Sequence, residues 1–550
     1  MIGILSFIGF TVLVAVISYF ATRSTDEQTS DGYFLGGRSL TAGVIAGSLL
    51  LTNLSTEQIV GLNGSAYTDG LSVMAWETLA AIAIVVASIF LLPRYLKGGL
   101  TTVPQFLAKR FDVATKTITS GLFLTGYVVV LLPVILYSGS VAISGMFDVP
   151  TLLGVSDNTA LVICIWGIGI IGSVYAVFGG LKAVAVSDSI NAIGLLIGGL
   201  LIPVFGLMAI GDGSVFTGLE TLVNTNPERF DSTGNTGQEV PFSTIFTGMM
   251  LVQLFYWGTN QQIIQRALGA KNLAEGQKGL LLAAFLKILG PLILVLPGMI
   301  AYHYFDGGLD SSDLAYPELV RAVLPKPLVG FFAAVLFGAI LSSFNSVLNS
   351  SVTLFGIDIY KQHINKDASE STVVKYGKIF GICLALAAMF IAPLIANAGS
   401  LFNYLQEING IYSIPIFTII VVGYLTKRVP AIAAKIGILS GSLLYIISQF
   451  WLKNTFIDEA LAQADASGIT DPAKLKLIEA EAYPHYLHIM AILFVTNIII
   501  MLIIGAVRPR KEPFVLEYTD QVSITPYKYV NQLGILICCI VIGIYVYFAK

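Results

Sequence analysis

Residues 52–67 read TNLSTEQIVGLNGSAY and lie in an apolar stretch that begins at Leu40. Asn, Ser, Thr, Glu and Gln occupy five of the six positions 53–58. A bilayer interior penalises each of these groups unless a partner meets it. We therefore expect them to line a cavity that binds a cation and a polar solute. The flanking Gly47, Gly61 and Gly64 indicate a helix that breaks near its middle and frees backbone carbonyls.

The composition indicates an all-α polytopic membrane protein. Of the 550 residues, 55% are hydrophobic and 11% are charged, whereas about 25% are charged in soluble domains. Apolar stretches of about 20 residues, the length that crosses a bilayer, recur along the chain. A net charge of −3 gives no basic surface, so we expect no nucleic-acid partner. The four cysteines all lie in apolar runs and are predicted to be small buried hydrophobic residues: Cys164, Cys383, Cys538 and Cys539.

Fourteen membrane spans are predicted, at 2–22, 41–67, 70–93, 118–146, 158–179, 183–210, 243–265, 279–303, 326–359, 374–394, 401–425, 430–452, 486–507 and 532–549. The first is interpreted as a retained helix, not a cleaved signal. An external N-terminus places 22 of the 30 Lys and Arg residues in cytoplasmic loops, 7 outside, and Lys287 within a span. The positive-inside rule therefore predicts that both termini are external. We expect a plasma membrane location, the inner membrane in a bacterium.

Three longer connections are predicted to be external. Residues 211–242 and 304–325 are acidic and turn-rich, as expected of solvated loops. Residues 455–484 carry a helical pattern that predicts a surface hairpin broken around Gly468 and Pro472. The sequence does not say whether this hairpin does more than cover an outer surface.

Polar and ionisable residues at membrane depth indicate a solute site. A single pair such as Glu77 with Lys287 could simply fix helix packing, but the additional amides exceed what a dry bundle needs. Together these groups donate and accept hydrogen bonds in several directions, which suits a polyhydroxy solute. No Arg lies within a predicted span, which disfavours a dianion. The residues are Glu57, Glu77, Asp188, Lys287 and Glu407, with Asn53, Gln58, Gln253 and Gln406.

Two further features allow both a functional and an ordinary interpretation. Residues 338–346, GAILSSFNS, place Ser342, Ser343 and Ser346 along one helical edge. Such hydroxyls often bond back to their own helix, but beside freed carbonyls they can hold Na⁺, a hard cation that prefers oxygen ligands. Tyr256 and Trp257 follow Gln253 and are either core aromatics or rings that stack on a sugar.

Seven stretches together resemble the sodium:solute symporter family, above all its sodium/glucose and sodium/galactose branch. The resemblance runs from about residue 31 to 450 and implies an inverted five-plus-five helix repeat, with repeats at 41–210 and 243–425. Residues 1–40 and 430–550 would be peripheral. The stretches are NLSTEQIVGLNGSAY, AWE at 75–77, VFGGLKAVAVSD at 177–188, YWGTNQQIIQRALGAK at 256–271, AAFLKILGPLILVLPG at 283–298, GAILSSFNSVLNSSVTLFGIDIYK at 338–361 and YLQEINGIYS at 404–413.

The resemblance also implies roles for individual residues. Solute-binding positions would be Gln58, Glu77, Gln253, Lys287, Gln406 and Asn53. Tyr256 matches an inner gate, and the outer gate would be Leu62, Trp76 and Phe402. One sodium ion would bind the carbonyls of Leu51, Leu54 and Ala339 and the hydroxyls of Ser342 and Ser343. A second would use Asp188 and Ser346, but Asn345 stands where Thr or Ser often helps, so one ion or two stays open.

The expected function is sodium-coupled symport of a hexose, galactose or glucose, by alternating access, with one chain as the functional unit. Gln253 is often Asn or Thr in the family, and Gln58 is His in animal glucose carriers, so the particular sugar stays open. The alternatives are symport of an inositol-like polyol, a carboxylate or an amino acid, and a sugar-binding sensor or channel. An enzyme is disfavoured because His303, His363, His485 and His488 lie away from any carboxylate cluster.

Overall fold

The computed structural model describes residues 29–397 and 401–549 and eight residues of the N-terminal segment: Gly9, 11–14, 16–17 and Phe20. Side chains at 30–31, 175–180, 183, 327, 396–397, 401–404 and 473 are not described. Most of the predicted span 2–22 therefore lies outside the described residues. Within them every regular element is helical, apart from an isolated bridge between Leu40 and Ala270. The predicted all-α class is confirmed.

The first part of the chain forms ten helices: α1 (Ser30–Leu35), α2 (Ala42–Asn53), α3 (Thr56–Asp69), α4 (Ala75–Val86), α5 (Leu92–Lys97), α6 (Val103–Arg110), α7 (Val113–Gly126), α8 (Leu132–Phe147), α9 (Val149–Leu153) and α10 (Asp157–Ile210). Single wide turns, Ala87–Leu91 and Tyr127–Leu131, join α4 to α5 and α7 to α8.

The remainder forms fifteen longer helices: α11 (Val215–Thr225), α12 (Met250–Gly258), α13 (Gln261–Leu268), α14 (Leu273–Lys287), α15 (Gly290–Leu294), α16 (Leu296–Tyr304), α17 (Ala315–Val323), α18 (Lys326–Thr353), α19 (Glu370–Ile391), α20 (Leu401–Leu425), α21 (Ala431–Ile447), α22 (Lys453–Ala466), α23 (Pro472–Ala482), α24 (Tyr486–Val507) and α25 (Val530–Phe548). Wide helical turns extend α18 through Ile364 and join α21 to α22.

Among the described residues, ten helical segments are long and apolar enough to cross a membrane. The pair α14 and α15–α16, bent by 49°, makes eleven. The predicted number of fourteen is not confirmed. Three predicted spans, 41–67, 243–265 and 279–303, are interrupted in the structure, and span 2–22 lies largely outside the description.

The 54-residue helix α10 folds back on itself. A Cβ on Gly172 would lie 2.7 Å from Phe344 and 3.4 Å from Leu341 of α18, and a Cβ on Gly338 would lie 2.6 Å from Asn191. A straight helix would separate Gly172 from Asn191 by about 28 Å, yet both contact the same stretch of α18. The chain therefore reverses between them, as the two predicted spans 158–179 and 183–210 require.

The three predicted external segments contain more helix than expected. The first two hold α11 and α17, with short 3₁₀ turns at Pro227–Phe230 and Ser312–Leu314. Helices α22 and α23 form the predicted hairpin, separated by the turn at Gly468, whose φ is +73°.

The prediction of buried cysteines is wrong. Cys383 and Cys539 are exposed, and Cys164 and Cys538 are half-buried. An apolar run alone does not say which side of a helix packs against protein, because the lipid-facing side is apolar too.

Close packing fixes the position of α3, the helix that follows the opening motif. Asn63 is fully buried; its Oδ1 accepts from Gly298 N at 2.9 Å, and its Nδ2 donates to Ile293 O at 3.3 Å. A Cβ on Gly298 would lie 2.1 Å from Asn63 O, so only glycine allows α16 to approach this closely. Small residues are the usual means of close helix approach in membranes.

Candidate functional site

Two of the interruptions lie in the opening motif and in the stretch at 256–271. The chain leaves helical geometry at Leu54, with φ −75° and ψ 55°, and α3 starts again at Thr56. The predicted break is thus confirmed. A second break, not predicted, separates α12 from α13, where Asn260 caps α13 by accepting from Gln262 N at 3.2 Å. A helix that ends leaves backbone groups without intrahelical partners, and such breaks form ion and solute sites in many transporters.

The ends of both broken helices border one inner cavity of about 50 Å³, large enough for a few water molecules. Five of the six predicted solute-binding residues line it, together with the predicted gate residues Tyr256 and Trp76. They come from α2, α3, α4, α12 and α20, which the fold brings together. The five are Asn53, Gln58, Glu77, Gln253 and Gln406.

Lys287, the sixth predicted residue, lies behind this wall. Its side chain is 1% exposed and donates to the Glu77 carboxylate, which is equally buried. It also donates to the Asn53 amide oxygen. The ammonium therefore orients acceptor groups of two wall residues, and it stands 5.6 Å from the centre of the Trp257 ring.

Gln253 connects the cavity wall to a predicted outer-gate residue. Its Nε2 donates to the backbone oxygen of Trp76 at 2.8 Å, and its Oε1 accepts from Trp257 Nε1 at 3.2 Å. The amide is thus held by the protein on both sides, and it sets the position of the α4 turn that carries Trp76 and Glu77.

Four polar wall residues were missed as solute-site residues: Asn260, Gln262, Asn409 and Tyr412. Glu57, which the sequence placed among the polar residues at membrane depth, also lines the wall. The signal of the missed residues is the same as for the residues that were found, namely polar groups inside apolar segments. Glu57 lies in the opening motif, and the two polar positions of α13 lie in the stretch at 256–271. Tyr127 Oη donates to Asn260 at 2.6 Å and Tyr412 Oη to Asn409 at 2.7 Å, so part of the wall is already bonded.

The predicted sodium residues meet where α2 ends against α18. Ser343 Oγ donates to Thr52 O at 3.2 Å, and the hydroxyls of Thr52 and Ser346 are 3.2 Å apart. Ser342 is 2% exposed, and its Oγ has no partner at hydrogen-bond distance. Leu51 and Leu54 contribute carbonyls where the helix ends. A buried hydroxyl without a partner beside freed carbonyls fits a sodium ion.

Arg266 is a buried arginine just past the end of the predicted span 243–265. Helix α13 continues past the predicted end of its span, and Arg266 is fully buried. Its guanidinium lies 3.9 Å from the Asp188 carboxylate and donates to Ser48 and Ser346. Ser48 also donates to Asp188 at 2.7 Å. The residues predicted for a second sodium ion thus already contact a protein cation.

A larger vestibule of about 650 Å³ lies between the end of α3, α20 and the hairpin α22–α23. Glu407 of α20 faces it and pairs with Lys453 at 2.7 Å, whereas the preceding Gln406 faces the inner cavity. The predicted gate residues Leu62 and Trp76 are buried. The third, Phe402, has a side chain outside the described residues.

Polar contacts hold the opposite side of the inner cavity closed. Gln261 of α13 accepts from Val103 N at 2.9 Å. Gln265, also fully buried, donates to Phe34 O at 2.8 Å and accepts from Ser350 at 2.9 Å. These contacts tie α13 to α6, α1 and α18, and none of the predicted site residues takes part in them.

Comparisons with known proteins find relatives that match most of this chain. Escherichia coli (strain K12) symporter YidK is 45% identical over 98% of this chain and 90% of its own. Vibrio parahaemolyticus sodium/glucose cotransporter is 32% identical over 84% and 87%. Human sodium/myo-inositol cotransporter 2 is 30% identical over 80% and 68%. A structure of a Na⁺-coupled sialic acid symporter shares the fold, with a TM-score of 0.70 and 18% identity over 90% of this chain and 98% of that one.

The family model described as the sodium:solute symporter family matches residues 33–441. This range contains both broken helices, the inner cavity and the residues predicted to bind sodium. This chain therefore belongs to the sodium:solute symporter family and is a multi-pass membrane protein that couples the movement of a solute to sodium.

Proposed function

We propose that this protein takes up a hexose, galactose or glucose, together with sodium by alternating access. The observation that carries the proposal is the inner cavity, which five polar side chains predicted from the sequence line together. We further propose that one chain is the functional unit and that both termini lie outside the plasma membrane, the inner membrane in a bacterium.

The chemistry of the wall favours a polyhydroxy solute. Amides of Asn53, Gln58 and Gln406 both donate and accept, and the carboxylate of Glu77 accepts. Each sugar hydroxyl also donates and accepts, so such a set can satisfy several hydroxyls at once. The similarity to a sodium/glucose cotransporter supports a hexose. The similarity to a sodium/myo-inositol cotransporter makes a cyclic polyol the second candidate.

Sodium would act through the contact between α2 and α18. An ion held by the carbonyls of Leu51, Leu54 and Ala339 and by the hydroxyls of Ser342 and Ser343 would fix the broken end of α2. Because Asn53 on that end also lines the inner cavity, the ion would preorganise the solute site. Such coupling is reciprocal, so the solute also strengthens sodium binding. A membrane potential adds about 2.3 kcal/mol per charge per 100 mV.

Alternating access would separate the two sides of the inner cavity. The hydroxyl of Tyr256 lies beside Asn53 and Gln262, which flank the two helix breaks. Movement of this ring, with release of the Gln261 and Gln265 contacts, would open the cavity towards α6. Movement of Trp76 would open it towards the vestibule.

Uptake into proteoliposomes tests the proposal. Labelled galactose, glucose and myo-inositol are supplied with an inward sodium gradient or an equal potassium gradient. The variants are Gln406→Ala, which removes a cavity amide, and Gln449→Ala, which removes a buried amide outside the cavity.

Sodium-dependent accumulation that is lost in Gln406→Ala and kept in Gln449→Ala is the expected result. Accumulation of myo-inositol but of neither sugar would replace the hexose proposal by the polyol alternative. Equal losses in both variants would mean that Gln406 does not serve solute binding specifically.

A further inference from the structure

Glu57 is a carboxylate of the inner cavity to which no role has been given. It lies at the second position of α3, is 6% exposed, and lines the cavity beside Gln58. Its Oε2 is buried and has no hydrogen-bond partner among the described residues. A buried carboxylate oxygen without a partner is costly, so something that enters the cavity is expected to meet it.

Protein cations do not supply that partner. Lys287 is engaged by Glu77 and Asn53, and Arg266 is engaged by Asp188 and Ser346. Within the described part of the chain, no Lys, Arg or His nitrogen lies within 4.0 Å of the Glu57 carboxylate. The cavity wall thus carries one carboxylate that no basic side chain neutralises.

Capping of α3 does not account for this group completely. Ser55 and the backbone amide of Glu57 itself lie against the carboxylate, and the positive end of the helix dipole favours a negative charge there. These contacts orient the side chain but leave Oε2 without a donor, in a residue that lines the cavity.

Burial disfavours a bare charge, so an ionised Glu57 needs hydrogen-bond donors from the solute; in that form the carboxylate accepts hydrogen bonds and donates none. Two neighbouring hydroxyls of a polyhydroxy solute are suitable donors, whereas the carboxylate of an acidic solute would be repelled. The other carboxylate that lines the cavity is Glu77, whose charge Lys287 balances. The net electrostatic character of the cavity therefore depends on Glu57.

We propose that Glu57 is a further solute-binding residue that accepts hydrogen bonds from solute hydroxyls and excludes anionic solutes. The inference rests on the proposed function and deepens it, because it names the class of solute as uncharged and polyhydroxylated. Sugars oxidised to uronic acids, which differ from hexoses by one carboxylate, are rejected at this residue.

The test measures KM for sodium-driven uptake of galactose and of galacturonate by wild type, Glu57→Gln and Glu57→Asp. Glu318→Gln is the matched control, because it removes a charge on α17 outside the cavity. We expect Glu57→Gln to raise the galactose KM about 10- to 100-fold, the range for loss of a hydrogen bond to a charged group. The uptake ratio of galacturonate to galactose should rise at least about tenfold.

Glu57→Asp keeps the carboxylate but shortens the side chain, so it separates the effect of the charge from that of its position. It also provides a second variant if Glu57→Gln does not fold. It should weaken galactose uptake yet still reject galacturonate, and Glu318→Gln should change neither. The inference alone would be overturned if the wild-type protein takes up galactose and folded Glu57→Gln shows the same uptake ratio of galacturonate to galactose as the wild type. Wild-type uptake of galacturonate in preference to galactose, glucose and myo-inositol would overturn the inference and the proposed function together.

Discussion

Replacement of Lys287 by Met should lower the free energy of unfolding by more than an ordinary single substitution does. The lysine ammonium and the Glu77 carboxylate are both 1% exposed and paired, so the variant leaves an uncompensated buried charge. Removing one partner of such a pair costs about 3–5 kcal/mol. The lost hydrogen bond to Asn53 adds about 1 kcal/mol.

The expected shift follows from the size of the chain. Unfolding entropy near 2.1 cal/mol/K per residue gives about 1.2 kcal/mol/K for 550 residues. The variant should therefore lower the melting temperature by about 3–5 °C. This shift in melting temperature is measured by fluorescence-detected size-exclusion chromatography of the detergent-purified protein after heating. Lys278→Met on the same helix is the control: its pair with Glu275 is 43% and 25% exposed, so the shift should stay below about 1 °C.

A double variant decides whether the pair is the cause. Glu77→Gln with Lys287→Met removes both charges, so most of the lost stability should return. A double variant as unstable as Lys287→Met would refute the reasoning, because the unpaired Glu77 carboxylate would not then be the source of the loss. Recovered stability without recovered uptake would show that the pair serves solute binding as well as packing.

Three other predictions concern ions, pH and packing. Because Arg266 already meets Asp188, we expect one sodium ion per solute, and a reversal potential that requires two would contradict this. Burial raises the pKa of Glu239 from 4.5 to about 8. Between these pH values the folded protein holds a proton that the unfolded chain has lost, so the folded protein loses stability as the pH rises from about 4.5 to 8. The melting temperature of Glu239→Gln should therefore change less with pH than that of the wild type between about pH 5 and 8. Gly298→Ala places a Cβ 2.1 Å from a backbone oxygen of α3 and should cost about 1–3 kcal/mol. Gly43→Ala, with nothing within 4 Å of the Cβ, should show no loss in the same thermal assay.

The membrane class, the break in the opening motif and much of the cavity wall follow from the amino-acid sequence. Asn53, Gln58 and Gln406 are conspicuous because lipid penalises amides inside apolar stretches. That penalty acts on each residue wherever the rest of the chain lies, so a local pattern is enough to detect it. The helical hairpin around Gly468 is likewise predicted by local turn residues.

Contacts between residues that are distant in the sequence could be identified only from the tertiary structure. Glu77 and Lys287 are 210 residues apart, and their pairing depends on how α4 and α14 pack. Arg266, assigned to a loop from hydropathy, is buried because Asp188 and Ser346 approach it from other helices. The exposed cysteines show the same limit, since lipid-facing and protein-facing sides can be equally apolar. Hydropathy determines which segments enter the membrane, whereas contacts between distant helices determine which of their polar groups meet in the cavity.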